Sequence, residues 1–128
     1  MNLYPHQIEA LDLIKDHNRC AIYYDMGLGK TFIGSEKMKE IGAKVNLIIC
    51  QKSKVDDWFS HMFDNYHPDF TVYDLTMHAA ITSFLADANS FTYKTIGIIN
   101  YDLVWRRKEL LKLHDFTLML DESSLITN

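Results

Sequence analysis

A chain of 128 residues has room for one domain with a real core, and 48% hydrophobic against 23% charged residues is the balance of an ordinary globular protein. A net charge of −4 and a pI near 5.8 argue against holding nucleic acid by phosphate attraction alone, so any such contact must be local or shared with a partner. The sequence has no apolar run of about 18 residues to span a membrane, and its start, Met1-Asn2-Leu3-Tyr4-Pro5, lacks the layout of a secretion signal, so a cytoplasmic protein is expected.

Apolar runs then alternate with helical patterns. Residues 20–24 read as a buried strand followed at once by a glycine-rich turn over 25–29, and residues 30–41 as a helix that Gly42 ends. A second strand is expected over 45–50. Ser53 is placed to cap a helix running to residue 66, with Asp56 and Asp57 in its first turns favouring the helix dipole. A weaker strand follows at 70–73, a helix at 77–87 and a loop at 87–90. The apolar run 95–99 is a further strand, 101–113 a helix, and 116–120 the last strand, with Asp121 and Glu122 at its carboxyl end. Strands separated by helices imply an α/β fold with a mainly parallel sheet sandwiched between helices. The sequence ends soon after its last strand with no closing helix, so the lobe over residues 1–128 is expected to be incomplete at its C-terminus. Cys20 and Cys50, both at the edges of apolar runs, read as buried reduced thiols, and the six histidines show no metal-ligand spacing.

Two motifs carry chemistry. The first is Asp25-Met26-Gly27-Leu28-Gly29-Lys30-Thr31, at the junction of strand and helix where a phosphate loop must lie. Backbone amides of such a turn and helix start point at phosphate oxygens. Gly27 and Gly29 permit close backbone approach, Lys30 adds a charge for the β and γ phosphates, and the Thr31 hydroxyl suits Mg²⁺. Tyr24 stands where the general pattern has its first glycine. The second motif is Leu118-Met119-Leu120-Asp121-Glu122-Ser123-Ser124. A carboxylate at the tip of a buried strand is costly without a partner or a task. Asp121 suits a magnesium ligand, and Glu122 a group that orients or deprotonates an attacking water.

Together these segments resemble superfamily 2 helicases and translocases, most closely the Swi/Snf-type branch. Asp25 to Thr31 match the last seven positions of that branch's Asp-Glu-Met-Gly-Leu-Gly-Lys-Thr loop. Asp121 to Asn128 follow its Asp-Glu-Ser-His and Ile-Lys-Asn pattern with two changes, Ser124 for histidine and Thr127 for lysine. Leu3-Tyr4-Pro5-His6-Gln7 resembles the adenine-reading segment, with Gln7 as the reading amide. Residues 47–58 resemble the segment that contacts the nucleic-acid backbone, with Gln51 in place of the usual proline, and residues 98–103 a later segment ending a strand in Asn-Tyr. Compact spacing and the Asp-Glu-Ser-Ser variant are most similar to phage and mobile-element members.

The resemblance implies a RecA-like phosphate-loop lobe that binds ATP and Mg²⁺ and works on DNA with a second RecA-like lobe. Its nucleotide-binding residues are Gln7, Met26, Gly27, Leu28, Gly29, Lys30 and Thr31; its metal residues are Thr31 and Asp121; its catalytic residues are Lys30, Asp121 and Glu122. Lys52 and Ser53 are the expected nucleic-acid contacts, whereas Trp58 and Phe59 are read as helix packing. A stand-alone nucleotide-binding or protein-interaction module that does not hydrolyse ATP, and a small nucleoside or nucleotide kinase, are the competing readings. The kinase lacks recognisable lid and base-binding segments.

Overall fold

The computed structural model describes residues 22–26, 31–90, 94–104, 106–113 and 116–121. Five parallel strands form one sheet: β1 (Ile22–Met26), β2 (Val45–Cys50), β3 (Phe70–Asp74), β4 (Lys94–Asn100) and β5 (Phe116–Asp121), in the order β1-β5-β2-β4-β3. The helices are α1 (Thr31–Ile41), α2 (Val55–Tyr66), α3 (His78–Ala88) and the short α4 (Tyr101–Val104), with single 3-10 turns at Lys52–Lys54 and Lys108–Lys112. Among the described residues no helix is long and apolar enough to cross a membrane.

The central strands are apolar nearly throughout because a parallel sheet is covered on both faces. Every residue of β2 and β5 is buried. Where β2 carries Asn46, its amide Nδ2 donates to the carbonyls of Ala43 and Thr95, both at 3.0 Å, so this donor enters the core already paired. Alternate residues serve opposite faces. Val45, Leu47, Ile49, Ile99, Phe116, Leu118 and Leu120 join Ile81 and Phe84 of α3 in one cluster. Ile48, Cys50, Ile96, Ile98 and Met119 join Val55, Trp58, Met62 and Tyr66 of α2, and Met38 of α1, in the other.

Glycine is required at two places for different reasons. Gly42 has φ 67° and its N–H donates to the Met38 carbonyl at 3.0 Å, the left-handed stop expected after α1. Gly97 sits in β4 beneath α3, where a Cβ would lie 2.5 Å from Leu75 Cδ1 and 3.0 Å from two ring carbons of Phe84.

Three local expectations are corrected. Asp25 and Met26 belong to β1 rather than to the turn, because pairing with β5 continues through Asp25 opposite Leu120 and Met26 opposite Asp121. Ser53 does not cap α2: it lies inside the 3-10 turn Lys52–Lys54, closed by the Lys54 N–H donating to the Gln51 carbonyl at 2.9 Å, and Lys54 occupies the cap position without a side-chain bond. The segment 101–113 is not one helix. Among its described residues only Tyr101–Val104 is α-helical, and the Lys108–Lys112 turn follows. Four consecutive charged residues, Arg106 to Glu109, interrupt the apolar period there. The 3-10 turn lets Leu110 and Leu113, three apart, bury together, while Arg107 Nη2 donates to the Thr76 carbonyl at 3.0 Å.

Candidate functional site at the carboxyl edge of the sheet

The carboxyl ends of parallel strands are where α/β sheets receive ligands, because successive strand ends and helix starts converge there. Here that edge carries Met26 at the end of β1, Asp121 at the end of β5, Cys50 at the end of β2, Asn100 at the end of β4 and Asp74 at the end of β3. Met26 and Asp121 lie side by side in the sheet register. The strand that leads into the glycine-rich segment and the strand that carries the acidic motif are therefore immediate neighbours, although 95 positions separate those two residues in the sequence.

Asp121 is the chemical centre of this edge. It is 5% exposed, and a carboxylate so enclosed needs partners. Trp58 of α2 supplies one: its indole Nε1–H donates to Asp121 Oδ2 at 2.8 Å. Next to them the Cys50 thiol is pushed far up, first by burial and then by the negative charges of Asp121 and Asp74, which keeps it in the inert protonated form. Cys50 is a free buried cysteine, as expected for one of the two. The same negative field suits a cation. The donor chemistry fits Mg²⁺, which takes hard oxygen ligands from one or two carboxylates and completes its shell with phosphate and water. Among the described residues no three His, Cys, Asp or Glu side chains converge as an all-protein cage.

A second polar assembly fastens α2 to α1. Tyr66 Oη lies 2.5 Å from Glu36 Oε2 and 2.9 Å from Ser35 Oγ, and Ser35 Oγ lies 2.9 Å from His61 Nε2. A phenol has one proton, and the nearer acceptor is Glu36 Oε2, so the Ser35 link is donated by the serine. Asn65 Nδ2 faces His61 Nδ1 at 3.3 Å and can only donate, which leaves the His61 proton on Nε2, directed at Ser35. Burial lowers the His61 pKa, against the opposing pull of Asp64 and Glu36, consistent with this neutral form. Tyr66 is pushed up to about 12 by burial and by its bond to Glu36.

Thr31 is the first residue of α1. Lys52 and Ser53 are exposed on the 3-10 turn at the head of α2. Gln7, Gly27, Leu28, Gly29, Lys30 and Glu122 lie outside the described residues. Residues 6–128 match the SNF2-related domain. The chain belongs to that family. No match was found among curated proteins. Membership in the SNF2-related domain family makes this a lobe of the helicase and translocase type, and such domains use ATP, usually with Mg²⁺. The all-parallel sheet flanked by helices is the RecA-like arrangement that the SNF2-related domain implies.

Sequence reasoning missed Trp58 as part of this site. It is packed as expected, 3% exposed against Ile48, Met62 and their neighbours, but its indole also reaches the acidic motif. Nothing in the spacing of α2 signals that second role, because the acceptor lies 63 positions away. Ser35, Glu36, His61 and Tyr66 were likewise silent, each an ordinary residue on its own helix.

Proposed function

We propose that residues 1–128 form the ATP-binding lobe of an ATP-dependent DNA helicase or translocase, which couples ATP hydrolysis to movement on DNA together with a second RecA-like lobe. The observation that carries this reading is the enclosed Asp121 at a strand tip, in register with the last residue of the strand that runs into Gly27-Leu28-Gly29-Lys30-Thr31. In this reading the loop amides and Lys30 take the β and γ phosphates, Gln7 reads adenine, and Thr31 and Asp121 hold Mg²⁺. The metal, when bound, neutralises charge that develops on the phosphoryl oxygens. Glu122 orients the attacking water and accepts its proton. Lys52 and Ser53, exposed ahead of α2, contact the DNA backbone.

Hydrolysis needs charge stabilisation from the far side of the phosphoryl group, and an arginine placed there is worth about 10³–10⁵ in rate. Arg107 is committed to the Thr76 carbonyl, and neither Arg19 nor Arg106 stands in a segment resembling the family's arginines, so in this reading the second lobe supplies that charge. Titration calorimetry on this chain is the test. Mg·ATP should bind weakly, Lys30→Ala should remove most of the affinity, and Asp121→Asn should abolish its metal dependence. A phosphate-release assay should give turnover near background, rising by orders of magnitude with DNA and a second lobe. Equal affinities in all three proteins would overturn the assignment. Normal binding with no turnover under any addition would favour a nucleotide-binding module that does not hydrolyse ATP.

A further inference from the structure

Trp58 closes the segment expected to contact nucleic acid, yet its one polar atom is directed into the sheet edge. Its indole N–H meets Asp121 Oδ2 at 2.8 Å while the ring stays buried among Ile48, Met62 and Met119. One turn further along, His61 approaches Trp58 edge-on, with ring centroids 6.1 Å apart, and reaches Ser35 of α1. Two turns along, Tyr66 reaches both Ser35 and Glu36. Helix α2 is therefore hydrogen-bonded at one end to the tip of β5 and at the other to α1, the helix that begins at Thr31.

We propose that Trp58 is a positioning residue for the metal carboxylate, and that α2 acts as a brace setting the spacing between Asp121 and the helix headed by Thr31. This rests on the reading of Asp121 and Thr31 as magnesium ligands. The physical argument is about freedom. A strand-tip aspartate can swing about its Cα–Cβ and Cβ–Cγ bonds, and a metal that accepts only near-ideal octahedral geometry gains affinity when that swing is removed beforehand. A charge-assisted N–H···O⁻ bond from a buried, packed ring removes it. A fused ring of the same shape without the N–H would fill the same space but withdraw this directional bond from Asp121 Oδ2. Because Lys52–Lys54 form the turn that runs directly into α2, a backbone contact made there acts on the same rigid body that holds Asp121.

The shape and the donor can be separated experimentally. In the full 128-residue chain, Trp58→β-(3-benzothienyl)alanine replaces the N–H by sulfur and keeps the fused ring, so packing is retained while the donor is lost. Trp58→Phe is the second variant that lacks the donor. Calorimetric titration of Mn²⁺ into the ATP-bound protein reads metal affinity, and ATP titration in EDTA reads the nucleotide alone. The expected result is a loss of about 10-fold or more in Mn²⁺ affinity for the isostere, with metal-free ATP binding and thermal melting as in the parent. In a Trp105→Phe background Trp58 is the only indole, and its emission should shift on Mg²⁺ addition with the same midpoint as metal binding. Asp121→Asn separates the two levels of the argument. If it removes the metal response while the isostere leaves Mn²⁺ affinity unchanged, Trp58 does not position the carboxylate and the proposal fails alone. If Asp121→Asn itself leaves the metal response intact, the magnesium reading fails and the proposal with it.

Discussion

On the face covered by α3, the central strands offer Val45, Leu47, Ile49, Ile99, Phe116, Leu118 and Leu120, and α3 answers with Ile81 and Phe84. On the face covered by α2, the same strands offer Asn46, Cys50, Asn100, Thr117 and Asp121 among their aliphatic residues, and the helices answer with Trp58, His61, Tyr66 and Ser35. One face is held mainly by apolar contact, with the Tyr73 hydroxyl donating to Asp87 of α3 at its margin, and the other by a hydrogen-bonded frame laid over an apolar base. The difference teaches where chemistry can be carried: a directional network fixes side-chain orientation, which an aliphatic layer does not. The apolar face holds the sheet in shape, and the polar face aims what the sheet presents.

Damage to the two faces should therefore read out differently. The largest stability loss is expected on the α3 face. Phe84→Ala removes a fully buried ring and should cost about 3–5 kcal/mol, and Gly97→Ala beneath it, by pressing on Leu75 and Phe84, about 1–3 kcal/mol. Denaturant melts measure both, and protein that remains folded should keep the metal dependence of ATP binding. A shifted metal midpoint in Gly97→Ala would break the separation of the faces.

A smaller loss is expected from Tyr66→Phe, which deletes the hydroxyl shared with Glu36 and Ser35 and should cost about 1 kcal/mol. Here the metal midpoint should weaken out of proportion to the melt, because the brace between α1 and α2 is loosened. An unchanged midpoint would assign that network to folding alone.

The smallest effect concerns pH. Burial holds His61 below its ordinary value of 6.5 in the folded chain, so below that value the unfolded chain takes up the proton more readily. The contribution of His61 is fully present above about 6.5 and declines as pH falls from there towards the lowered folded value, and stability therefore rises with pH across that window. Melting curves from pH 7.5 to 5 should show the decline, and His61→Gln should flatten it. An identical slope in the variant would place the titration elsewhere.

Most of the strand positions could be read directly, because a strand buried on both faces needs a continuous apolar run and little else in the sequence looks like one. The glycine stop of α1 was equally legible, since a left-handed residue after a helix is nearly always glycine or asparagine. Helix beginnings were less so. Ser53 has the chemistry of a cap, but a 3-10 turn starting one residue earlier leaves it inside the turn, and both arrangements suit the same residues locally. That 101–113 is not one helix depends on where Leu110 and Leu113 find a surface to bury against, and β1 continues through Met26 because β5 lies beside it. At the site, the phosphate-loop and acidic motifs were visible because glycine, lysine, threonine and aspartate are each constrained by their own chemistry at fixed spacing. Trp58 was not, because an indole N–H has no preferred partner within its own helix. Its acceptor is chosen by which strand tip the fold carries to it, 63 residues away. Local sequence determines which groups can bond and which surfaces must be buried. Which donor meets which acceptor is decided only when strand order and helix packing bring distant side chains within about 3 Å of one another.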